Sequence, residues 1–304
     1  MSGYHKRREP RHGTVRVRGL DLHVRRWGPE PATGEVPVLL LHGWLDTGDT
    51  FQFLADAFEA DLPLIAPDWR GFGRSAWAPD GYWFADYLAD LDALLDELAR
   101  GRPARLIGHS MGGNVASLYA GLRPARVHSL VNLEGFGLPR TAPEQAPARL
   151  RQWLDQLKAP VALKTYDSFD QLAAAIRFRY PRVGEVKADF IAHAWAGLAA
   201  DGRVHLHGDA RHRWVNPVLY KREDAEACWR GIEAPLLMLL GQKSEYLDRL
   251  GADGTDAAFR ALIPHIDIQR IEGAGHMLHI EQPEKVARLI EDFWRRFPGI
   301  KAIG

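Results

Sequence analysis

Short apolar runs that end in turn-forming residues recur along most of the chain. Six of them have the continuous apolar character of strands covered on both faces, as in a parallel sheet; they are residues 37–43, 62–68, 104–110, 129–135, 234–241 and 266–273. Two earlier stretches, residues 14–19 and 22–28, alternate apolar and polar positions instead. That period of two is typical of antiparallel strands with one exposed face.

Amphipathic segments with helical spacing separate these runs. Residues 84–99 place five apolar side chains on one face, and the segment after Ser110 does the same. The closing segment begins with Pro283, which the first turn of a helix tolerates, and continues with an apolar stripe through Phe297. Strands that alternate with helices predict an α/β fold, in which a mostly parallel sheet with right-handed crossovers is flanked by helices.

One long stretch, residues 136–233, lacks this alternation and shows only amphipathic helical stripes and polar loops. We therefore predict a helical cap at 136–233, inserted after the strand that ends at Glu134, and a core made of residues 14–135 and 234–304. Residues 1–13 are basic and are not followed by an apolar run, so they predict a disordered basic arm rather than a secretory signal. An arm that binds nucleic acid is the alternative.

Charge and cysteine content narrow the range of functions. Lys plus Arg and Asp plus Glu number 39 each, so no overall positive field favours nucleic acid. The single cysteine, Cys228, excludes an internal disulfide and fits a cytoplasmic location. No apolar run approaches the ~18 residues of a membrane span. We expect no nucleic-acid or membrane partner, and a monomer or homodimer.

The first chemical motif is "GHSMG" at residues 108–112, between an apolar run and an amphipathic segment. A strand that turns directly into a helix around Gly-x-Ser-x-Gly is the nucleophile elbow. It would hold Ser110 at the positive end of a helix, where negative charge on a substrate is favoured. A serine helix cap with chance glycines is the alternative, and it does not account for the strand and the helix together.

From about residue 14 to residue 297, the chain resembles the α/β-hydrolase superfamily. The resemblance includes "LHGWLDTGDTF", "PDWRGFGRS" and "GAGHMLHIEQPEKVARLIEDF", and the wording "HGWLD" with "GHSMGGNVA" looks like the serine-hydrolase-like branch of capped esterases. The family's catalytic histidine corresponds to His276 here, with His279 as its rival. The resemblance also implies an oxyanion hole formed by the backbone N–H groups of Trp44 and Met111, although Trp44 could be a purely structural aromatic residue.

The third member of the catalytic triad, a carboxylate that orients the histidine, departs from the commoner family pattern. Ser244 stands where many relatives carry an aspartate. Some members place the carboxylate at the end of the strand after the nucleophile helix, and Glu134 stands at that position. A buried carboxylate needs a partner or a use, and the order Ser110, Glu134, His276 is the one this fold uses. Glu134 is the candidate acid; Glu245, Asp248 and a purely structural Glu134–arginine pair are the alternatives.

Two other segments resemble ligand-binding motifs but depart from them in spacing or composition. The segment from His205 to His212 begins like a metal-binding sequence, but its spacing departs from that pattern and we predict a solvated polar loop of the cap. Residues 71–75 lack the Lys-Ser/Thr or Gly spacing of a nucleotide loop.

These features predict a cofactor-independent serine hydrolase that acts on small to medium carboxylic esters, thioesters or lactones. A serine nucleophile excludes the alkyl-ester chemistry of haloalkane dehalogenases and epoxide hydrolases with this fold. The alternatives are a carbon–carbon bond hydrolase, a peptidase, a perhydrolase, or a receptor-like protein that binds a ligand with little turnover.

Overall fold

The computed structural model describes residues 3–31 and 36–298. Its strands, in chain order, are β1 (Arg11–Val17), β2 (Leu20–Trp27), β3 (Val38–Leu41), β4 (Leu64–Pro67), β5 (Ala104–His109), β6 (Val127–Leu133), β7 (Thr165–Tyr166), β8 (Ala196–Leu198), β9 (Val204–Leu206), β10 (Leu236–Gly241) and β11 (Asp267–Ile271). An eight-stranded sheet has the order β1-β2-β4-β3-β5-β6-β10-β11. The β1–β2 and β2–β4 pairs are antiparallel, and the other neighbours are parallel. The predicted fold class and the eight core strands are therefore confirmed.

The described residues also form ten α-helices. They are α1 (Gln52–Ala57), α2 (Phe84–Ala99), α3 (Met111–Leu122), α4 (Ala146–Lys158), α5 (Phe169–Arg179), α6 (Glu185–Trp195), α7 (Arg222–Trp229), α8 (Asp256–Leu262), α9 (Leu278–Glu281) and α10 (Pro283–Arg296). Pro283 begins α10, where its missing N–H costs nothing.

The central strands are buried on both faces, as their uninterrupted apolar sequences predict. Successive side chains of a strand point to opposite faces. Leu39 of β3 thus joins the core packed against α2 and α3, whereas Leu40 joins the core packed against α1 and α10. Both leucines are fully buried. This two-sided burial fixes the sheet, so the loops at the carboxyl ends of its parallel strands have a rigid support.

The segment between β6 and β10 is not built of helices alone. It contains α4 to α7, together with a three-stranded antiparallel sheet of order β7-β9-β8. Strands of two or three residues are too short to show a period of two in the sequence, so the prediction of a purely helical cap missed them. The apolar stripes of these helices are not all buried. No residue of α4 is buried, and Leu150, Leu154 and Leu157 are about half exposed, so the apolar stripe of this helix does not join the core.

The predicted disordered arm, residues 1–13, is ordered where the structure describes it. Residues 11–13 belong to β1, and the preceding segment is bonded to α1. The Tyr4 hydroxyl and the Arg8 backbone N–H donate to the two carboxylate oxygens of Asp56, at 3.0 and 2.7 Å. The Arg8 carbonyl accepts from the Gln52 side chain at 2.8 Å. Arg8 also donates to the Ala55 carbonyl near the end of α1. The basic side chains thus satisfy carbonyl groups of the protein itself. Met1 and Ser2 lie outside the described residues.

No helix within the described ranges is long and apolar enough to cross a membrane.

Candidate active site

Ser110 lies between the end of β5 and the first residue of α3, at a sharp turn of the backbone. Its φ of 51° is positive, which is costly for a residue with a Cβ and is often found at functional sites. The turn requires its flanking glycines. A Cβ on Gly108 would lie 2.5 Å from the Gly112 carbonyl oxygen, and one on Gly112 would lie 2.1 Å from the Leu41 carbonyl oxygen. The local geometry is that of a nucleophile elbow.

Glu134 follows β6 directly and is 2% exposed. Its backbone also has a positive φ, 61°. One carboxylate oxygen, Oε1, accepts from the Gly241 backbone N–H at 2.6 Å. The other, Oε2, accepts from the Ser244 hydroxyl and contacts Nδ1 of His276 at 3.2 Å. No arginine bonds to Glu134 among the residues that the structure describes, so the alternative of a structural glutamate–arginine pair finds no support there.

His276 stands on the loop after β11, which is pressed against the end of β10. A Cβ on Gly241 would lie 2.3 Å from the Gly275 carbonyl oxygen, so the two segments approach as closely as backbone allows. The Tyr246 ring lies 4.4 Å from the imidazole, centroid to centroid. Since a carboxylate only accepts, Nδ1 carries the proton in the contact with Glu134. Nε2 is then left with a lone pair that can take a proton.

Ser110, Glu134 and His276 all line one cavity of about 490 Å³ beneath the cap. Its wall also includes Trp44 and, from α6, Trp195. Most of the remaining lining is apolar, as ligand sites commonly are. The structure therefore brings the three predicted catalytic residues to the same cavity, although they are far apart in the chain.

The segment after β3 passes directly beside the nucleophile. A Cβ on Gly43 would lie 3.3 Å from the Ser110 Cβ. Leu45, two residues later, is another non-glycine residue with a positive φ, 55°. Trp44 is 51% exposed and lines the cavity, so it is not part of the buried core. Trp44 directly follows Gly43, and Met111, the first residue of α3, directly follows Ser110. Their backbone N–H groups remain the predicted donors of the oxyanion hole.

Two further histidines of the motifs are structural. Nε2 of His42 accepts from the Trp69 backbone N–H at 2.9 Å, while Nδ1 contacts the Gly43 carbonyl at 2.7 Å, and burial lowers the pKa of His42 to about 4. His109 contacts the His276 carbonyl at 2.9 Å, and burial holds its pKa well below the usual value. Both rings stay neutral and support the loops on either side of Ser110.

His279, the rival base, lies behind His109 with a ring separation of 4.2 Å and is fully buried. Burial lowers the pKa of His279 to about 3. It does not line the cavity. Asp46, His109 and His279 have ligand atoms within 4.8 Å of one another and form the one group of the described residues with the composition of a metal site. Both carboxylate oxygens of Asp46 already accept hydrogen bonds.

Asp46 joins the cap to the loop after β3. Oδ1 of Asp46 accepts from the Trp195 indole N–H and the Thr47 backbone N–H, both at 2.7 Å, and Oδ2 accepts from the Thr50 hydroxyl at 2.9 Å. Asp46 is 3% exposed, and burial raises its pKa to about 7. The motif "HGWLD" ends at Asp46 but does not reveal this contact, because Trp195 is 149 positions away in the sequence.

The segment His205–His212 is not the solvated loop that its polarity predicts. Its last ring, His212, stacks between Phe72 and Tyr82 at centroid distances of 3.7 and 3.6 Å. Asp209 accepts from the Tyr82 hydroxyl at 2.8 Å. These contacts fasten the cap to the core loop after β4 and bury Asp209 and His212. His205 stays partly exposed beside Asp201, so only the second half of the segment departs from the prediction.

The chain matches a known protein family over most of its length. Residues 36–283 match the family described as alpha/beta hydrolase fold. The chain belongs to this family. This α/β hydrolase is similar to a serine hydrolase-like protein of Danio rerio. The two are 28% identical over 289 residues, which cover 90% of this chain and 85% of that one. The resemblance to serine-hydrolase-like proteins is thereby confirmed.

Two other similarities extend over nearly the whole α/β hydrolase. A 3-hydroxybutyrate-oligomer hydrolase of Cupriavidus necator is 28% identical over 303 residues, covering 91% of this chain and 96% of that one. The crystal structure of a hypothetical protein from Pseudomonas aeruginosa superimposes with a TM-score of 0.78 at 25% identity, covering 94% of this chain and 99% of that one. Relatives named hydrolases support a hydrolytic activity for this α/β hydrolase.

Proposed function

We propose that this protein is a serine hydrolase that cleaves small to medium carboxylic esters, thioesters or lactones without a cofactor. The observation that carries the proposal is the 3.2 Å contact between Oε2 of Glu134 and Nδ1 of His276, beside a serine held in a nucleophile elbow. A hydroxyl is a poor nucleophile until a base, oriented by a third group, removes its proton. The name of the Cupriavidus necator relative, a hydrolase of 3-hydroxybutyrate oligomers, is in keeping with ester substrates.

The chemistry follows from the tautomer that Glu134 imposes. Nε2 of His276 takes the Ser110 proton as Oγ bonds to the substrate carbonyl carbon. The backbone N–H groups of Trp44 and Met111 stabilise the resulting oxyanion, and Glu134 stabilises the imidazolium. The imidazolium then gives its proton to the departing alcohol, leaving an acyl-serine. A water molecule, deprotonated by the same Nε2, cleaves this ester and restores the hydroxyl of Ser110.

The cap supports the choice of substrate size. A cavity of about 490 Å³ beneath the cap is within the range of small-molecule sites. It accommodates a short or medium acyl chain and encloses the bond to be cleaved. We therefore infer that long triglycerides are poor substrates and that a lipid–water interface does not activate the enzyme.

The test is covalent labelling followed by turnover. A fluorophosphonate should add one adduct to the intact protein, and Ser110→Ala should add none. p-Nitrophenyl esters from acetate to palmitate should then show a maximum at short or medium chain length. Labelling that persists in Ser110→Ala, or an unlabelled wild-type protein that hydrolyses no ester, would refute the proposal.

A further inference from the structure

A charged side chain of the cap faces the same cavity. Arg179 is the last residue of α5 and lines the cavity wall with its neighbour Tyr180. Its guanidinium donates to the Tyr246 hydroxyl at 2.6 Å. The Tyr246 ring in turn lies against the imidazole of His276. One tyrosine ring therefore separates a fixed positive charge from the proposed catalytic base.

This arginine has no anionic partner of its own. Within residues 3–31 and 36–298, Arg179 forms no ion pair with a carboxylate, and its neighbours are the phenols of Tyr180 and Tyr246. By contrast, Arg177, two residues earlier on the same helix, lies 3.9 Å from Glu185. An arginine remains charged at any physiological pH, so the cavity wall carries an unmatched cation.

The carboxylates that line the cavity are already occupied. Glu134 accepts from Gly241 and Ser244 and contacts His276. Asp46 accepts three hydrogen bonds, and one of them comes from the Trp195 indole. Neither residue bonds to Arg179 in the described structure. Arg179 is exposed at the cavity wall, so a ligand can bring an anion to its guanidinium.

We infer that the preferred substrates are esters that carry a free carboxylate, which Arg179 binds at the cavity wall while the ester carbonyl lies at Ser110. The inference rests on the proposed serine-hydrolase function and names its substrate class. A planar guanidinium binds a carboxylate through two parallel N–H bonds, and a single guanidinium matches its single charge. The apolar wall formed by Leu172 and Ile176 on the same helix suits the short hydrocarbon chain between the two groups.

The geometry also limits the length of that chain. The carboxylate must reach past the Tyr246 ring from the carbonyl, so the two groups are separated by a few methylenes. When an ester without the carboxylate binds, the Arg179 guanidinium stays hydrated. The neutral ester therefore binds without the charge-assisted hydrogen bond. The expected discrimination is about tenfold or more in kcat/KM, and it arises mainly in KM because Arg179 does not touch the reacting atoms.

The test compares matched esters that differ in the anion alone. Monomethyl adipate and methyl hexanoate place the carboxylate on the acyl side, and 4-(butanoyloxy)benzoate and phenyl butanoate place it on the alcohol side. Wild-type enzyme should prefer the anionic member of at least one pair by about tenfold in kcat/KM, and added salt should reduce that preference. Arg179→Gln should lower the anionic-to-neutral ratio about tenfold through KM, and Arg179→Lys should keep part of it.

Arg177→Gln is the control, since Arg177 belongs to the same helix and does not line the cavity. It should leave the ratio unchanged. Equal rates for the anionic and neutral members in both pairs, or a ratio that Arg179→Gln leaves unchanged, would overturn the carboxylate inference. Labelling of Ser110 and hydrolysis of the neutral esters would then leave the proposed function intact. If neither kind of ester is hydrolysed and Ser110 is not labelled, both proposals fall.

Discussion

The hydroxyl of Ser244 donates a hydrogen bond to Oε2 of Glu134, the same oxygen that contacts Nδ1 of His276. Ser244 stands in the loop after β10, where many relatives carry the acid itself. The usual acid position therefore remains part of the site, but as a donor to a carboxylate that comes from β6. The Gly241 N–H bonds to the other oxygen, so both sides of the Glu134 carboxylate are fixed.

This arrangement predicts a large effect of removing the charge at position 134. Glu134→Gln keeps the size of the side chain but removes the negative charge that stabilises an imidazolium. Its amide NH2 group is a donor and cannot accept a hydrogen bond from Nδ1–H of His276. Neutralising a triad carboxylate costs up to ~10⁴ in kcat, and we expect a loss of at least about 10² here. The measurement is kcat on one p-nitrophenyl ester, with circular dichroism to establish that the variant is folded.

Glu245→Gln is the matched control, because Glu245 lies in the Ser244 loop and is exposed. It should change kcat by less than about threefold. Wild-type activity in Glu134→Gln, together with a collapse in Glu245→Gln or Asp248→Asn, would move the acid to the loop after β10.

A second prediction returns the acid to the usual position. Because the Ser244 hydroxyl touches the oxygen that contacts His276, a carboxylate at position 244 should reach the same place. The double variant Glu134→Ala with Ser244→Asp should therefore be at least about tenfold more active than Glu134→Ala alone. Its kcat and that of the single variant should be measured on the same ester. Equal rates in two folded proteins would mean that position 244 cannot serve His276.

The sequence predicted the core better than the cap, for a physical reason. Strands such as β3 and β10 are buried on both faces, so their apolar runs record their environment directly. β7 and β8 have two and three residues and leave no readable period. The hydrogen bonds from Ser244 to Glu134 and from the Trp195 indole to Asp46 join segments that only the tertiary fold brings together. Composition likewise could not show that the basic residues 3–10 bind the end of α1.

Asp46 predicts how stability depends on pH. Burial raises its pKa to about 7 in the folded protein, whereas an unfolded chain has a value near 3.9. The folded state therefore holds an extra proton between about pH 4 and pH 7, and this carboxyl lowers the stability of the wild type as the pH rises through that window. The full effect, present above pH 7, is at most on the order of 4 kcal/mol.

Asp46→Asn removes this titration. Its Oδ1 can still accept from Trp195 and Thr47, and its amide can donate to the Thr50 hydroxyl. The melting temperature of the variant minus that of the wild type should be larger at pH 8 than at pH 5. Asp170→Asn, at an exposed position of α5, should show no such change. A difference that stays constant from pH 5 to pH 8 would show that Asp46 does not titrate in this range.

The last prediction concerns the buried ion pair beneath the loop that holds the cap. Asp68 is fully buried and accepts from the Arg25 guanidinium at 2.6 Å and from the Gly48 N–H at 2.8 Å. Burial alone would raise the pKa of Asp68, but the Arg25 charge and the hydrogen bond from His23 hold it below its usual value. A depressed carboxyl pKa contributes stability that is present above about pH 4 and is lost as the pH falls towards the folded-state value.

Asp68→Asn breaks this pair and leaves the buried guanidinium with less compensation. Removing one partner of a buried pair costs about 3–5 kcal/mol, and we expect the lower end because Arg25 also bonds to Asp49. Urea unfolding at pH 7 should show this loss in the free energy of unfolding, and the gap to the wild type should narrow below about pH 4. Asp21→Asn removes an exposed pair with Arg16 and should cost less than about 1 kcal/mol. If the two variants are equally stable at pH 7, the Asp68–Arg25 pair does not hold this loop.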